Sequence, residues 1–423
     1  MPPFMLKIIQ ATEFDAQSFP HSIDAETLVT AQSIVDDVRT GGESAIRKYA
    51  EKFEERTADQ PLIIPRTELD AALARISDED SDLLHRVSAR IQKFAAAQLN
   101  CLSELNTDVP GGKAGHTIEP VEHAGCYAPA GRYALPSTVM MTAVTARVAG
   151  CKRVTVASPK PSDMILAAAA VSGADSVLAI GGAQAIAAMA YGFENFERCD
   201  LIAGPGNRFV TAAKKIVHGD CGIDMIAGPS ELVLVADESA DPATVAADLL
   251  GQAEHDVDAR PFLITTSAVV ADMVSLEVEK QVKELPSCET ATASITNNGA
   301  AIVCDSIDQA IEICNRIAPE HLELHIDNAD SVATQIRNAG CIFIGHQSAE
   351  VFGDYGVGPN HTLPTSGTAR FNAGLNVFTF LRVRTWLNLD AATAELVSDT
   401  ARLAEVEGLI GHQQSALRRS SGD

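Results

Sequence analysis

The stretch SVLAIGGAQAIAAMAYG, residues 176–192, places a short apolar strand, a glycine turn and an alanine-rich helix in immediate succession. The apolar run ends at Ile180, Gly181 and Gly182 form the turn, and a helix is predicted from Ala183 onward. A strand that enters a helix through a glycine turn is the first half of a βαβ unit. We therefore predict a parallel sheet with helices on its faces in this part of the chain.

The same pattern recurs on both sides of this stretch. Strands are predicted at 125–128, 154–157 and 201–203, and helices from Ser137, Ser162 and Asn207. The loops at 127–137, 180–185, 203–209 and 226–231 are rich in Gly and Pro. Ligands of open parallel sheets bind beyond the carboxyl ends of the strands, where helix N-termini point amides toward anions. We expect residues 121–230 to form a cofactor-binding domain.

The loop at Gly204 only partly matches the dinucleotide-binding fingerprint GxGxxG. Gly204 and Gly206 occupy the first two glycine positions, but Phe209 occupies the third. Each of the four loops is also compatible with a simple tight turn. The loops taken alone therefore leave nucleotide binding open.

Alternation of strands and helices continues after residue 231 and predicts a second α/β unit. Strands are predicted at 232–236, 261–265, 300–304, 321–325 and 341–344, and helices at 242–255, 268–283, from Ile307 and from Ala329. Residues 25–38 and 43–53 are predicted helices separated by Thr40-Gly41-Gly42, and 67–105 reads as one or two longer helices. We expect this helical layer to complete the second unit. The stretch after His361 is predicted to be loop-like and then helical.

These patterns predict a division of the chain into four parts. Residues 1–20 form an N-terminal segment, and residues 21–120 together with 231–370 form one α/β domain. Residues 121–230 form an α/β domain inserted into the first, and residues 371–423 form a helical tail.

Composition limits the possible partners. The 423 residues carry a net charge of −24, which argues against nucleic acid and anionic membranes as partners. The nine cysteines form no C-x-x-C pair, so neither a disulfide framework nor a cysteine-type zinc site is expected. No signal peptide and no apolar run of the roughly 20 residues that a membrane helix needs is evident. We expect a soluble cytoplasmic protein.

The stretch DLLGQAEHD, residues 248–256, contains a candidate metal site. Gln252 and His255 are three residues apart, so on a helix they share one face and can converge on one ion. A neutral imidazole is a common ligand of zinc, whereas an amide oxygen is an unusual one. The same pair is also compatible with a capped helix end.

Other candidate groups follow residue 250. Glu320 and His321 join a helix end to a strand, which would place a carboxylate and an imidazole together at a sheet edge, in a position suited to proton transfer. Asp354 and His361 share a Gly-rich loop, and Glu407 and His412 lie near the C-terminus. Each of these residues taken alone is also compatible with a surface or capping role.

Seven motifs together carry a resemblance to a known family. In order and spacing they are similar to those of histidinol dehydrogenase over residues 20–415, and they read GGAQAIAAMAYG (181–192), GPGNRFVTAAKK (204–215), IDMIAGPSE (223–231), DLLGQAEHD (248–256), APEHLEL (318–324), GDYGVGPNHTLPT (353–365) and EGLIGH (407–412). The resemblance implies two incomplete Rossmann-like parallel-sheet domains, one inserted in the other, with a tail swapped between the subunits of a homodimer. It also implies oxidation of L-histidinol to L-histidine through L-histidinaldehyde with two NAD, the last step of histidine biosynthesis.

The resemblance also implies roles for individual residues. One zinc ion per subunit would be bound by Gln252, His255, Asp354 and His412, and Glu320 and His321 would form the acid–base pair. NAD would contact Tyr127, Gln184 and Asn207. The substrate would contact the set Ser137, Ser230, Gln252, His255, His321, Asp354, His361, Glu407 and His412.

Two departures from the family pattern leave alternatives open. Pro129-Ala130-Gly131 stands where the family has a PGG turn, and residues 374–380 differ from the family's usual tail. One alternative is a homologous dehydrogenase for another small polar alcohol, such as a sulfopropanediol. The other is a catalytically idle relative that binds metal or nucleotide. Glu407 and His361 favour histidinol over the first alternative, and the Glu320–His321 pair argues against the second.

Overall fold

The computed structural model describes residues 6–15, 23–130 and 134–419. These residues form two six-stranded sheets and one three-stranded sheet. The strands are β1 Lys7–Gln10, β2 Ile63–Pro65, β3 Leu105–Val109, β4 Gly112–Pro120, β5 His123–Tyr127, β6 Arg153–Ala157, β7 Ser176–Leu178, β8 Leu201–Ala203, β9 Gly222–Ile223, β10 Glu231–Ala236, β11 Arg260–Thr265, β12 Ala300–Val303, β13 His321–His325, β14 Cys341–Ile344 and β15 Leu381–Leu389.

Helices cover the faces of the two large sheets. They are α1 Ala25–Lys52, α2 Arg66–Leu73, α3 Asp78–Leu99, α4 Pro136–Ala149, α5 Asp163–Val171, α6 Gly182–Tyr191, α7 Arg208–Val217, α8 Pro242–Ala253, α9 Ala268–Gln281, α10 Cys288–Asn298, α11 Ile307–Ile317, α12 Ala329–Ala333, α13 Glu350–Asp354, α14 Ala394–Val406 and α15 Ile410–Leu417. Among the described residues, no helix is both long and apolar enough to cross a bilayer.

The first sheet has the strand order β2-β7-β6-β5-β8-β9. Strands β5 to β9 run parallel, and only β2 is antiparallel to its neighbour. The alternation predicted around residues 176–192 is therefore confirmed. One apolar core lies on each face of this sheet, as expected when helices cover both sides of a parallel sheet.

The N-terminal helices pack on the first sheet, so their predicted assignment to the second unit is wrong. Helix α1 packs on α6 and α7, α2 packs on α5, and α3 packs on α4. Strand β2, between α1 and α2, extends the first sheet beside β7. The physical reason is that buried residues of α1 such as Ile34 and Ile46 share one core with α6, and a local apolar period does not specify its partner.

The second sheet has the order β1-β12-β11-β10-β13-β14 and is parallel at every pairing. Its first strand comes from Lys7–Gln10, so part of the predicted N-terminal segment belongs to this sheet. Of the other residues in that segment, 6 and 11–15 are described, and the remainder lie outside the described residues. Strand β13 is internal, between β10 and β14, so the expectation of a sheet edge at His321 is wrong.

Three further expectations are decided by local geometry. The predicted break in the first helix is confirmed, because Gly42 interrupts α1 with φ 54° and ψ −138°. Helix α8 ends at Ala253, two residues earlier than predicted. The tail contains the nine-residue strand β15 before its helices, and β15 pairs with β4 next to β3. Its alternating Val383, Thr385 and Leu387 suit a strand better than a helix.

Candidate active site

The last turn of α8 carries a buried amide without a hydrogen-bond partner. Gln252 is 1% exposed, and neither its Oε1 nor its Nε2 atom has a partner. A buried amide left unpaired costs roughly 1–3 kcal/mol. Such a group at the end of a helix is therefore a candidate ligand rather than a packing residue.

His255 follows Gln252 by three residues, and Asp354 lies beside His255. The Nδ1 atom of His255 is 3.0 Å from the carbonyl oxygen of Gly251, which can only accept, so Nδ1 donates and, in the neutral ring, Nε2 carries the lone pair. Burial lowers the pKa of His255, but the hydrogen bond and charge of Asp354 outweigh burial and raise it. His255 Nε2 is 3.5 Å from Asp354 Oδ2. This is the arrangement by which proteins orient imidazole ligands, with the second ring nitrogen bound to a carbonyl. Asp354 ends the short helix α13 and does not lie on a loop as predicted.

Asp354 is surrounded by imidazoles. Burial raises the pKa of this carboxyl, but the neighbouring His255, His361 and His321 outweigh burial and hold the pKa below its usual value. The carboxylate is therefore ionised at neutral pH and available as an oxygen ligand.

The predicted acid–base pair lies at the amino end of β13. His321 Nδ1 donates to the Glu231 carbonyl at 3.2 Å, while its buried Nε2 has no partner and lies 3.8 Å from Asp354 Oδ1. Burial lowers the pKa of His321 to about 4, so the ring is neutral and its Nε2 can accept a proton. The Glu320 Oε2 atom accepts from the Glu231 amide at 2.9 Å, and burial raises the pKa of Glu320 well above its usual value.

His361 connects this site to the first sheet. Its Nδ1 donates to the Asp354 carbonyl at 3.1 Å, and its Nε2 lies 3.2 Å from Thr138 Oγ1 on α4. Ser137 precedes Thr138 in the first turn of α4, and Ser230 immediately precedes β10. Both serines are half-buried. Elements of both large sheets therefore meet around Asp354.

The carboxyl ends of the first sheet form a second group of polar atoms. Tyr127 ends β5, and its hydroxyl accepts from the Gly182 amide at 3.0 Å. Gln184 is 1% exposed and its Oε1 atom has no partner, while its Nε2 donates to Glu55 at 3.2 Å. Gly204 has φ +123°, and a Cβ there would lie 2.1 Å from the Tyr127 carbonyl, so only glycine fits.

The comparison with protein families is decisive. The family model described as histidinol dehydrogenase matches residues 19–420 of the chain. The chain belongs to the histidinol dehydrogenase family.

Individual relatives agree with this membership. The histidinol dehydrogenase of Geobacter metallireducens is 44% identical over 397 residues, which covers 92% of this chain and 91% of the relative. That of Geobacter sulfurreducens is 42% identical over 423 residues, with 97% and 98% covered. The crystal structure of histidinol dehydrogenase from Elizabethkingia anophelis has a TM-score of 0.91 at 32% identity and 99% coverage of both chains. The mixed α/β architecture with parallel sheets is therefore the histidinol dehydrogenase fold.

Not every residue expected from the family resemblance lies at this site within one chain. Asn207 is exposed and caps α7, its Oδ1 accepting from the Phe209 and Val210 amides. Glu407 and His412 are exposed on the arm formed by α14 and α15, which pack mainly on each other. Among the described residues, the ligand atoms grouped around Asp354 come from His255 and Glu350 and do not include His412.

Two acidic residues near these sites were missed by sequence reasoning. Glu350 is buried, its Oε2 atom has no hydrogen-bond partner, and it lies 3.8 Å from His321 Nδ1. Its spacing of four residues from Asp354 on a short helix was the available signal. Glu55 accepts from the Gly181 amide at 3.1 Å as well as from Gln184, across more than 120 residues of sequence, and no local pattern indicates that pairing.

Proposed function

We propose that this protein oxidises L-histidinol to L-histidine through L-histidinaldehyde with two NAD, as the last step of histidine biosynthesis in the cytoplasm. Membership in the histidinol dehydrogenase family supports the reaction. The observation that carries the proposal is the unpaired buried amide of Gln252, three residues before His255, whose neighbour Asp354 lies 3.8 Å from a neutral His321. An unpaired amide among these groups has a physical reason if a metal and a substrate complete the site.

The residues present fit one zinc ion per subunit. Gln252 Oε1, His255 Nε2 and Asp354 would hold it, together with His412 of a partner chain. The free lone pair of His255 and the unpaired buried amide are what a bound cation requires. Zinc supplies a positively charged anchor for the amino group and imidazole ring of the substrate.

His321 is the proton acceptor in this proposal. Its Nδ1 is held by the Glu231 carbonyl, so the ring presents a neutral Nε2 toward Asp354. His321 Nε2 takes the hydroxyl proton of the alcohol as hydride leaves for NAD, and it acts again on the hydrated aldehyde. Glu320 takes a proton from water as that water attacks the aldehyde, in the state in which its carboxyl group is ionised. Its carboxylate is oriented by the Glu231 amide.

NAD would bind at the carboxyl ends of the first sheet. Tyr127 and Gln184 supply a hydroxyl and an unpaired amide oxygen there, and Asn207 stands at the N-terminus of α7. Helix N-termini at such loops attract the phosphates of nucleotides. In this proposal the 121–230 region, covered by α1 to α3, is the NAD-binding domain, and the second sheet carries the metal and acid–base residues.

The arm formed by α14 and α15 would pack on a second subunit. It exposes Leu403, Val406, Leu409 and Ile410 on a segment with few contacts to its own chain. Phe352, Tyr355 and Val357 beside Asp354 are also exposed. Packing the arm of one chain against this rim of another would bury both apolar surfaces and bring Glu407 and His412 to the site. We therefore propose a homodimer with shared active sites.

The substrate would lie between the two sheets. Ser137, Ser230 and His361 would contact it beside Asp354, and Glu407 would enter with the partner's arm. An imidazole ring with an amino group suits a site that offers carboxylates, hydroxyls and one metal ion.

The proposal is tested by counting hydride transfers. Purified protein loaded with zinc should form about two NADH for each histidinol consumed, because both oxidations occur in one site. His321→Asn should keep its zinc content and lose most turnover. NADH formation with a sulfopropanediol but not with histidinol would transfer the assignment to another alcohol. Zinc binding with no oxidation of either alcohol would mean that the protein is a catalytically idle relative of the family.

A further inference from the structure

A second polar cluster lies one helical turn away from the active-site residues. Residues two apart on a strand face the same side, so His321, Glu323 and His325 lie in a row along one face of β13. Asp248 precedes Gln252 by one turn of α8. Asp248 faces Glu323 and His325. We call Asp248, Glu323 and His325 the second cluster.

The atoms of the second cluster converge on one point. His325 Nε2 lies 3.7 Å from Asp248 Oδ2 and 3.5 Å from Glu323 Oε2. One ligand atom from each of the three residues lies within 4.8 Å of the other two. The side chains of Glu323 and His325 are 0% and 1% exposed, and Asp248 is 15% exposed.

The converging atoms have no hydrogen-bond partner while both carboxyl groups are ionised, and a single proton would join Asp248 to Glu323 by a side-chain hydrogen bond. Asp248 Oδ2, Glu323 Oε2 and His325 Nε2 are all buried and unpaired. Two buried carboxylates that face each other beside a neutral imidazole are unfavourable while both are ionised, because their oxygens have lost their water. Their arrangement requires a positively charged occupant or a proton.

No Lys or Arg side chain pairs with the second cluster among the described residues. The ion pairs of Asp248 and Glu323 within the described residues involve only His325. Burial and the neighbouring His346 lower the pKa of His325 to about 4, so the imidazole is neutral. Burial, with the charge of Asp248 as a further cause, raises the pKa of Glu323 to about 8, and burial raises that of Asp248 to about 6.

We infer that Asp248, Glu323 and His325 form a second divalent-cation site, distinct from the zinc site of the proposed function. Bond lengths of about 2.0–2.2 Å to nitrogen and oxygen place neighbouring ligands of a tetrahedral ion roughly 3.4 Å apart. The separations of 3.5 and 3.7 Å fit that spacing, as does the 3.5 Å between His255 and Asp354. One imidazole and two carboxylates select a first-row transition ion such as Zn²⁺ or Mn²⁺ over Ca²⁺.

The second site is linked to the active site by Glu350. Glu323 Oε1 accepts from the Glu350 amide at 2.5 Å, and the carboxylate of Glu350 lies 3.8 Å from His321. A cation that fixes Glu323 therefore also fixes the start of α13, which ends at Asp354. The ion would have a structural role, because it would hold the start of α13 in position beside the active site.

The metal content of the full-length protein tests this inference. Protein stripped with a chelator is titrated with Zn²⁺ and, separately, with Mn²⁺, and bound metal is counted by elemental analysis. The wild type should bind about two ions per chain and His325→Leu about one. His255→Ala should also bind about one, and adding His325→Leu to it should remove that one. The exposed His85 on α3 provides the control, since His85→Leu should still bind about two.

The outcomes separate this inference from the proposed function. One ion in the wild type that His255→Ala loses and His325→Leu keeps would overturn the second site, leave a shared proton as the occupant, and leave the proposed function intact. One ion that only His325→Leu loses would support the second site and contradict the zinc site of the proposed function. Asp248→Asn, at the partly exposed position, repeats the test if His325→Leu does not fold. Cobalt-loaded His255→Ala should show visible d–d bands that Asp248→Asn removes, and their absence would also contradict the site.

Discussion

Gln252 is the residue whose burial is hardest to explain without a bound ligand. Its amide is buried in the last turn of α8, three residues before His255, with both polar atoms unpaired. A neutral amide adds no charge to a site that already contains the carboxyl groups of Glu320, Glu350 and Asp354. The metal-free protein should therefore carry a cost at this position that the metal-bound protein does not.

Gln252→Leu should raise the stability of the metal-free protein and lower its affinity for zinc. Leucine keeps the volume of the side chain but has no polar atoms, so the metal-free variant should be more stable than the metal-free wild type by about 1–2 kcal/mol. Its zinc affinity should fall at least about tenfold. Urea unfolding without metal and zinc titration measure the two effects. The exposed Gln92→Leu on α3 is the control, and a less stable metal-free Gln252→Leu would contradict the assignment.

Glu55 should make stability depend on pH. Burial raises its folded-state pKa above the usual 4.5, and hydrogen bonds from Gly181 and Gln184 only partly offset this. The folded chain thus binds the proton more tightly than the unfolded chain does. The stability associated with Glu55 is present below about pH 4.5 and is lost as the pH rises through the folded-state pKa.

Glu55→Gln should remove that pH dependence. A glutamine does not titrate, and its amide can donate to the unpaired Gln184 Oε1. The melting temperature of the variant should exceed that of the wild type near pH 8, and the difference should shrink toward about pH 4.5. The neighbouring exposed Glu51→Gln serves as the matched substitution. An equal difference at both pH values would show that the Glu55 carboxyl does not titrate in this way.

At the scale of elements, a buried ion pair connects α7 to the loop that precedes this helix. Lys214 on α7 pairs with Asp224, and both side chains are at most 2% exposed. Lys214 Nζ also donates to the Gly204 carbonyl at 2.9 Å, and Asp224 accepts from the Gly204 amide at 2.7 Å. Both polar groups of Gly204 are therefore held by one ion pair, next to the end of β5 at Tyr127.

Lys214→Met should destabilise the protein and weaken NAD binding. The change leaves the Asp224 carboxylate buried without its cation, which costs about 3–5 kcal/mol. Adding Asp224→Asn should recover part of this loss, as a double-mutant cycle would measure. The KM for NAD should rise more than the KM for histidinol, because the loop lies on the cofactor side. Lys215→Met, at the adjacent exposed position, should change neither the stability of the protein nor the KM for NAD. Equal effects of the Lys214 and Lys215 variants would refute a role of the Lys214–Asp224 ion pair.

At the scale of the whole molecule, the chain is incomplete without a partner if its arm supplies active-site residues. The arm residues Glu407 and His412 are exposed, whereas the groups that they would join surround Asp354. A subunit that lacks His412 can still receive an arm in trans, and a subunit that lacks Glu320 can still donate one. Two inactive variants can therefore make one active site between them.

Mixed dimers of His412→Ala and Glu320→Gln should regain activity. Each heterodimer would contain one intact site and one site with both changes, so an equal mixture should reach about a quarter of wild-type turnover. Each variant alone should remain nearly inactive. Co-expression with two affinity tags isolates the heterodimer for the assay. Verified heterodimers without turnover would mean that each site is built within one chain.

The sequence by itself determined the elements of this protein and its family. The alternation around residues 176–192 predicted the parallel sheet, and Gly41-Gly42 predicted the break in α1. These features are local, since a strand, a turn and a helix face are each encoded within a few neighbouring residues.

Only the tertiary structure decided which elements meet. It placed α1 to α3 on the first sheet, paired Glu55 with Gln184, and set Asp248 against Glu323 and His325. The local sequence of a helix gives it an apolar face that could pack on several partners equally well. Which partner it contacts depends on how all the elements of the protein pack at once. Contacts between residues far apart in the chain therefore leave no periodic signal, and a buried unpaired atom becomes visible only when the fold has surrounded it.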